Sequence, residues 1–435
     1  FDIYNCPEEE VSPVWVDVEE EVDVDFSCSV GDLCSITDDV YVSPDGDDNN
    51  LGTSESEAFL TIKRALEMIA PQDDDPVTIF LTEGTFSPST TDEEFPILMI
   101  SNVNLIGQGE EVTILDAEQT DRVITMENCQ NNVISDLTIT GGLAGVTLNN
   151  RGGGMYLNNS DPTLTHVNIT NNTAYSSGGG MFLEYSNPTL THVNITNNTA
   201  NSNGGGMYLH DSNPTLTHVT ISNNTAALEG GGGMHLTASN PTLTHVTISN
   251  NTAALEGGGM YLWDSNPILT HVTISNNHTV VVFGGGMYLY LSNPTLTHVT
   301  ISNNTAALEG GGMCLISSNP TLTHVTITDN TANNGGGMWL LNSNPTLTNS
   351  IIWDNSPESI YLYNGDEEPI ITYSDIQDVW EGEGNIDIDP LFTNPDNGDY
   401  TLQEGSPCID AGIIIEGMEY CGEASDMGAY EYITE

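Results

Sequence analysis

Gly204-Gly-Gly-Met-Tyr-Leu-His-Asp-Ser-Asn-Pro-Thr-Leu-Thr-His-Val-Thr-Ile-Ser-Asn-Asn-Thr-Ala226 is one copy of a unit that the chain repeats eight times. The repeat Met falls at 155, 181, 207, 234, 260, 287, 313 and 338, a period of 25 to 27 residues. Eleven residues after it stands His166, His192, His218, His245, His271, His298 or His324, and Asn349 in the last copy. The Met-to-His spacing is constant, so all length variation falls between Asn-Asn-Thr-Ala and the next Gly-Gly-Gly. One fixed arc and one elastic arc per unit is how a stacked coil behaves.

No helical stripe runs through the unit. Short β-rich runs (Met-Tyr-Leu, Thr-Leu-Thr, His-Val-Thr-Ile) are separated by Gly, Asn, Pro and Ser turns. Alternation puts Met155, Leu157, Leu164, Val167 and Ile169 on one side, and Tyr156, Thr165 and Asn168 on the other. The step from Leu164 to Val167 is three, so the chain bends near His166. Three strands and three corners in about 26 residues make one turn of a parallel β-helix, with coils rising roughly 4.8 Å each. The predicted class is therefore all-β, a parallel β-solenoid.

Working outward, the repeats resemble right-handed parallel β-helices of the pectin-lyase-like class, in particular the bacterial surface type with Gly-Gly-Gly-Met-Tyr and Asn-Pro-Thr motifs. Tyr41-Val-Ser-Pro-Asp-Gly-Asp-Asp48, Ala58–Glu67 and Thr82–Phe86 resemble the usual entry to such helices. Asp389–Phe392, Gly398–Tyr400, Ser406–Gly412 and Asp426–Tyr430 resemble the exit. The resemblance spans about residues 40–432 and implies a fold that serves lyases, hydrolases, adhesins and structural proteins alike. Four parts are expected: an acidic β arm (1–40), an N-terminal cap with irregular coils (41–150), the regular solenoid (151–350) and C-terminal coils with a cap (351–435). A helix over 56–70, with Phe59, Ile62, Leu66 and Ile69 on one face, is suited to plugging the N-terminal end. In the arm, Val14, Trp15, Val16, Val18, Val22, Val24 and Phe26 alternate with acid as two strands would.

Composition bounds the partners. The 435 residues carry 62 Asp and Glu against 4 Lys and Arg, a net charge of −58. Phosphate neutralisation needs many cations, so nucleic acid is excluded as a primary partner. No apolar run is long enough to span a membrane. The first residue is Phe and no basic-then-apolar leader follows, so the chain reads as the mature form of an exported, extracellular or cell-surface protein. Residues 151–350 hold only eight acids, which leaves two strongly acidic ends around a nearly neutral middle.

Stacking turns each repeat position into a column. The residue after Met gives Tyr156, Phe182, Tyr208, His235, Tyr261, Tyr288, Cys314 and Trp339, a mostly aromatic strip expected to face outward. It would serve as a glycan or lateral contact, or as a ladder that stabilises the sheet by roughly 0.2–1 kcal/mol per pair. Seven imidazoles stacked near 4.8 Å cannot share one ion, so the His column reads as a corner ladder that weakens when protonated below about pH 6. The Thr-x-Thr columns resemble the flat face of ice-binding β-solenoids, and are equally what an exposed strand prefers. Asp45, Asp47, Asp48 and Asn50 crowd oxygens into a Gly turn and are expected to hold a structural Ca2+; Asp387, Asp389, Asp396 and Asp399 are a weaker second group. Of seven cysteines, Cys408 and Cys421 are expected to staple the C-terminal cap.

Catalysis is not expected, because near-identical coils leave no unique cleft. Arg122 and Arg151 with Asp116, Asp121 and Asp136 are the only mixed-charge group. The leading expectation is a structural or adhesive surface protein that assembles head to tail through its Val-rich arm. A glycan-binding or polysaccharide-degrading protein is the alternative, and an ice-binding solenoid the third.

Overall fold

The computed structural model describes residues 36–72, 75–145, 150–363 and 368–433. The chain divides into two units, Phe1–Ser35 and Ile36–Glu435. Val14, Trp15, Val16, Val18, Val22, Val24 and Phe26 lie outside the described residues.

Among the described residues the coils build three sheets whose strands pair in parallel. The Met sheet has eleven strands, of which Met155–Asn158, Met181–Glu184 and Met207–His210 are typical. The Thr sheet has twenty, including Thr163–Thr170 and Thr189–Thr196, and the Ala sheet seven two-residue strands such as Thr173–Ala174. The fold is an all-β right-handed parallel β-solenoid of about eleven coils. Register is set one repeat to the next: Met155 pairs with Met181 and Met181 with Met207. Met155, Leu157, Leu164, Val167, Ile169 and Ala174 are fully buried, as are the Met, Leu, Val and Ile counterparts down the regular coils. Burial of one such large side chain stabilises by roughly 1.5–3 kcal/mol.

The expected bend is a left-handed residue. His166, His192, His218, His245, His271, His298 and His324 take φ between 52° and 54°, and Asn349 takes 51°. Asn tolerates this region better than most residues, which explains its place in the last copy. The rings stack with centroids 4.9 to 5.2 Å apart.

Two polar ladders run inside the coil wall. Asn198 is fully buried; its backbone N–H and its Nδ2 both donate to Asn224 Oδ1, at 2.9 and 3.1 Å, and Nδ2 also donates to Ile169 O at 2.9 Å. The pattern continues through Asn224, Asn251, Asn277, Asn304 and Asn330. At the opposite corner Ser212 N–H donates to Ser239 Oγ, and Ser212 Oγ donates to His210 O. These side chains satisfy corner groups that β pairing would leave unpaired and buried. The Gly triplet is set by space: a Cβ on Gly205 would lie 2.4 Å from Gly232 O.

The N-terminal helix is Ile62–Met68, seven residues rather than the fifteen expected. Phe59 instead bridges Val42 in extended form, and Asp48 fixes where the helix begins. Glu93, buried against the helix start, accepts from Ile62 N–H at 2.6 Å and Lys63 N–H at 3.1 Å; burial pushes its carboxyl up to about 7. Phe59, Ile62, Ala65 and Ile69 are buried and plug the end of the core.

At the other end, Phe392–Asn394 pairs antiparallel with Asp399–Leu402. The chain then returns as a strap over the outer face of the late Thr-sheet strands. Ala429 N–H donates to Thr326 Oγ1, Gly428 N–H donates to Asn349 O, and Tyr400 OH donates to Asp329 Oδ2. The expected Cys408–Cys421 staple is absent. Both thiols are free: Cys408 points inward, its Sγ 3.2 Å from Asp375 Oδ2, while Cys421 is exposed. Packing and these hydrogen bonds hold the cap.

Candidate active site on the outer face of the Met sheet

In each Met-sheet strand the first and third residues point into the core, so the second and fourth form columns on the outer face. The second is the aromatic column, and it is not the exposed strip expected. Tyr156 is 5% exposed, Phe182 2%, Tyr288 8% and Trp339 5%, while Tyr208 and Tyr261 are half-buried. The rings from Tyr156 to Tyr288 stack face to face at 4.3 to 5.7 Å, which occupies the faces a sugar would need. The elastic arcs cover their edges: Phe283 lies 6.3 Å from Tyr288 and 6.2 Å from Trp339. Burial between Tyr208 and Tyr261 drives His235 down to about 3, so it is a neutral member of the stack.

The fourth position behaves differently. It reads Asn158, Glu184, His210, Thr237, Trp263, Tyr290, Ile316 and Leu341, in register throughout. Its first members build a charged cluster. Arg151 Nη1 and His210 Nδ1 approach Glu184 Oε1 at 3.8 and 3.9 Å, and Tyr156 OH donates to Glu184 Oε2 at 3.3 Å. On its other side His210 Nδ1 is 3.5 Å from Asp211 Oδ2. The Glu184 side chain is 21% exposed, open enough to meet a ligand and sheltered enough to be oriented. Burial holds the Tyr156 phenol above its usual range, so it stays a donor.

Two arginines brace this cluster from below. Arg122 lies 4.9 Å over the Tyr156 ring and Arg151 4.9 Å over the Phe182 ring, a cation–π arrangement. Arg122 is buried, which pulls its guanidinium below the usual value, and Nη1 donates to Thr125 Oγ1 at 3.4 Å. The mixed group expected from sequence is thus parted. Asp116 and Asp136 sit in Thr-sheet strands Thr113–Asp116 and Val133–Thr140, where Asp116 accepts from Glu118 N–H and Asp136 lies 3.8 Å from His166. Asp121 accepts from the Arg122 backbone N–H.

Glu184, His210 and Asp211 were not singled out from the sequence. The signal that finds them is variation: in coils otherwise nearly identical, the fourth position changes from copy to copy.

The calcium turn is already engaged by the fold. Asp48 Oδ1 accepts from Leu60 and Thr61 N–H, its Oδ2 accepts from Thr61 Oγ1, and Asp47 Oδ1 accepts from Asn49 N–H. Asn50 Nδ2 donates to Ala58 O, and Asp45 is exposed without joining them. Among the described residues no three His, Cys, Asp or Glu side chains group as metal ligands. None of their helices is long and apolar enough to cross a membrane.

The family description "right handed beta helix region" matches residues 102–279, 191–342 and 297–382, together more than half of the chain. The chain belongs to the right-handed β-helix family. A solved pectate lyase, Pel9A, superposes with a TM-score of 0.52 at 13% identity, covering 91% of this chain and 97% of that one. XylC in complex with xylose gives 0.47 at 10% identity over 82% and 87%. A mannuronan C-5 epimerase A-module from Azotobacter vinelandii gives 0.41 at 15% over 72% and 89%. No curated protein sequence matches.

The expectation that the chain is not an enzyme is corrected by these findings. It rested on repetitive coils having no unique cleft, yet the fold is one that a pectate lyase uses along its whole length. The fourth-position column, moreover, differs from coil to coil.

Proposed function

We propose that this protein is a polysaccharide-degrading β-helix protein that acts outside the cell from the outer face of its Met sheet. One observation carries the reading. The chain has only four basic side chains, and two of them, Arg122 and Arg151, sit beside the Tyr156–Glu184–His210 cluster. A protein this acidic has no general supply of cations, so placing half of them at one spot marks where a carboxylate of its own, Glu184, is held in place for use.

The cluster has the parts for acid–base cleavage of a glycan. Glu184, with Arg151 and Tyr156 fixing its two oxygens, is the group that accepts a proton. His210, between Glu184 and Asp211, is the group that donates one to a leaving sugar oxygen. Backbone registry fixes the pair on adjacent strands, so their separation does not depend on a flexible loop.

The test is release of reducing ends from a polysaccharide panel by the wild-type chain and by Glu184→Gln. The variant should lose about 100-fold or more in turnover, the scale of a lost acid–base group. Wild-type release unchanged by Glu184→Gln would overturn the assignment. So would no release from any member of the panel.

A further inference from the structure

Beyond the charged cluster, the fourth-position column turns aromatic: Trp263 and Tyr290 follow Thr237 on successive strands of the Met sheet. We infer that Trp263 and Tyr290 form a binding platform for an uncharged glycan, two coils from the cluster, and that the substrate is a neutral polysaccharide lying along the coil axis. The inference rests on the polysaccharide reading and narrows it to a substrate class.

The platform differs from the buried column beside it. There the rings stack and use both faces; here Trp263 and Tyr290 meet edge to face, 6.3 Å apart and inclined at 77°. Trp263 is 48% exposed, far more than the members of the neighbouring column. An indole this exposed leaves apolar surface facing water, which the C–H face of a pyranose covers well.

Position supports the same ligand. His210 and Trp263 are separated by one strand, that of Thr237, so they stand about 10 Å apart along the axis at the spacing of parallel strands. Two pyranose units span such a length. A chain held at Trp263 therefore presents a linkage to His210 and Glu184, with its sugars in step with the coils.

Charge chooses between glycan classes. No Lys or Arg follows Arg151 anywhere in the sequence. Acids do border the platform's coils: Asp264 adjoins Trp263, and Glu256 and Glu309 lie in the arcs beside the same strands. Burial, then the charge of Glu229, raises Glu256 above its usual range. A polyuronate would set its carboxylates against these with no cation between them, and like charges brought together oppose binding. An uncharged glycan meets no such cost.

A neutral glycan also selects the chemistry. Without a uronate carboxyl to acidify the neighbouring C–H, the bond is cleaved by hydrolysis. The water oxygen bonds to the anomeric carbon and its proton passes to Glu184, while the departing glycosidic oxygen takes a proton from His210.

The experiment uses the full chain carrying Glu184→Gln, so that ligands bind without turnover. It is applied to an array of neutral and polyuronate glycans, and intrinsic Trp fluorescence is then titrated with each glycan retained. Neutral glycans should bind ahead of polyuronates at low salt. Adding Trp263→Ala should weaken binding about tenfold, with Trp263→Phe recovering most of it. Preference for polyuronates, retention of no neutral glycan, or affinity unchanged in Trp263→Ala would each overturn the inference. The two readings fail separately. Turnover of a polyuronate that depends on Glu184 and ignores Trp263 removes the platform and leaves the cleavage site. Trp263-dependent binding of a neutral glycan without turnover in the wild-type chain does the reverse.

Discussion

The inner Asn column and the outer fourth-position column belong to the same coils, yet one repeats and the other does not. From Asn172 to Asn330 every amide is buried and bonds to the next coil's Asn, so a change in one copy would strand the partners above and below it. From Asn158 to Leu341 no such bond ties one copy to the next, and the side chains run from carboxylate to imidazole to indole. In a stacked protein, sameness is imposed by the fold, and departure from it marks positions free to take up function.

That contrast can be broken most sharply by moving substitutions between the two columns. Glu184→Gln should lose about 100-fold or more in turnover with its melting temperature unchanged, measured by reducing-end release and calorimetry. Asn224→Ala should do the converse. It leaves the buried Asn198 N–H without its acceptor and takes the Nδ2 donor from Asn251 Oδ1 and Ile195 O, at a cost of about 2–4 kcal/mol seen in the urea midpoint. Gly205→Ala should cost about 1–3 kcal/mol, because the new methyl meets Gly232 O and the backbone must shift.

A smaller effect is expected from the histidines. Burial, then neighbouring His298, holds His324 at about 4 against an ordinary 6.5, and burial holds His235 at about 3. The unfolded chain therefore binds protons between those values that the folded chain refuses. The histidine contribution to stability is complete above pH 6.5 and is lost as the pH drops through 6.5 towards 4, while the raised carboxyls of Glu93 and Asp375 act in the opposite sense. Melting series over that range should show His324→Asn, borrowing the residue at 349, losing less stability on acidification than the wild-type chain. The smallest effect is Trp263→Ala, whose exposed ring should change stability by no more than about 0.5 kcal/mol whatever it does to binding.

The coil itself was legible because its evidence is local. Constant Met-to-His spacing, alternation of Met155 and Leu157, and the three-residue step before Val167 fix the strands, the inward face and the bend. Alternation tells which way a side chain points and not what covers it. Tyr156 and Phe182 do point outward, yet stacking and the arcs bury them. Likewise the Asp47 and Asp48 carboxylates are close in sequence, and only the fold shows that backbone N–H groups on a segment a dozen residues later donate to Asp48. The Cys408 thiol faces Asp375, a partner no Cys spacing could indicate. The candidate site stayed hidden for the opposite reason. Arg151, Glu184 and His210 lie about a coil apart in sequence, and only the strand register brings them within 4 Å.

Whether a glycan is cut on the outer face of the Met sheet is tested most directly by a crystal structure of Glu184→Gln soaked with a neutral hexasaccharide. A sugar chain should lie along the fourth-position column, with a glycosidic oxygen beside His210 and a pyranose on Trp263. A hexasaccharide bound on the Thr sheet or under the C-terminal strap, with the Met-sheet column empty, would contradict cleavage on that face.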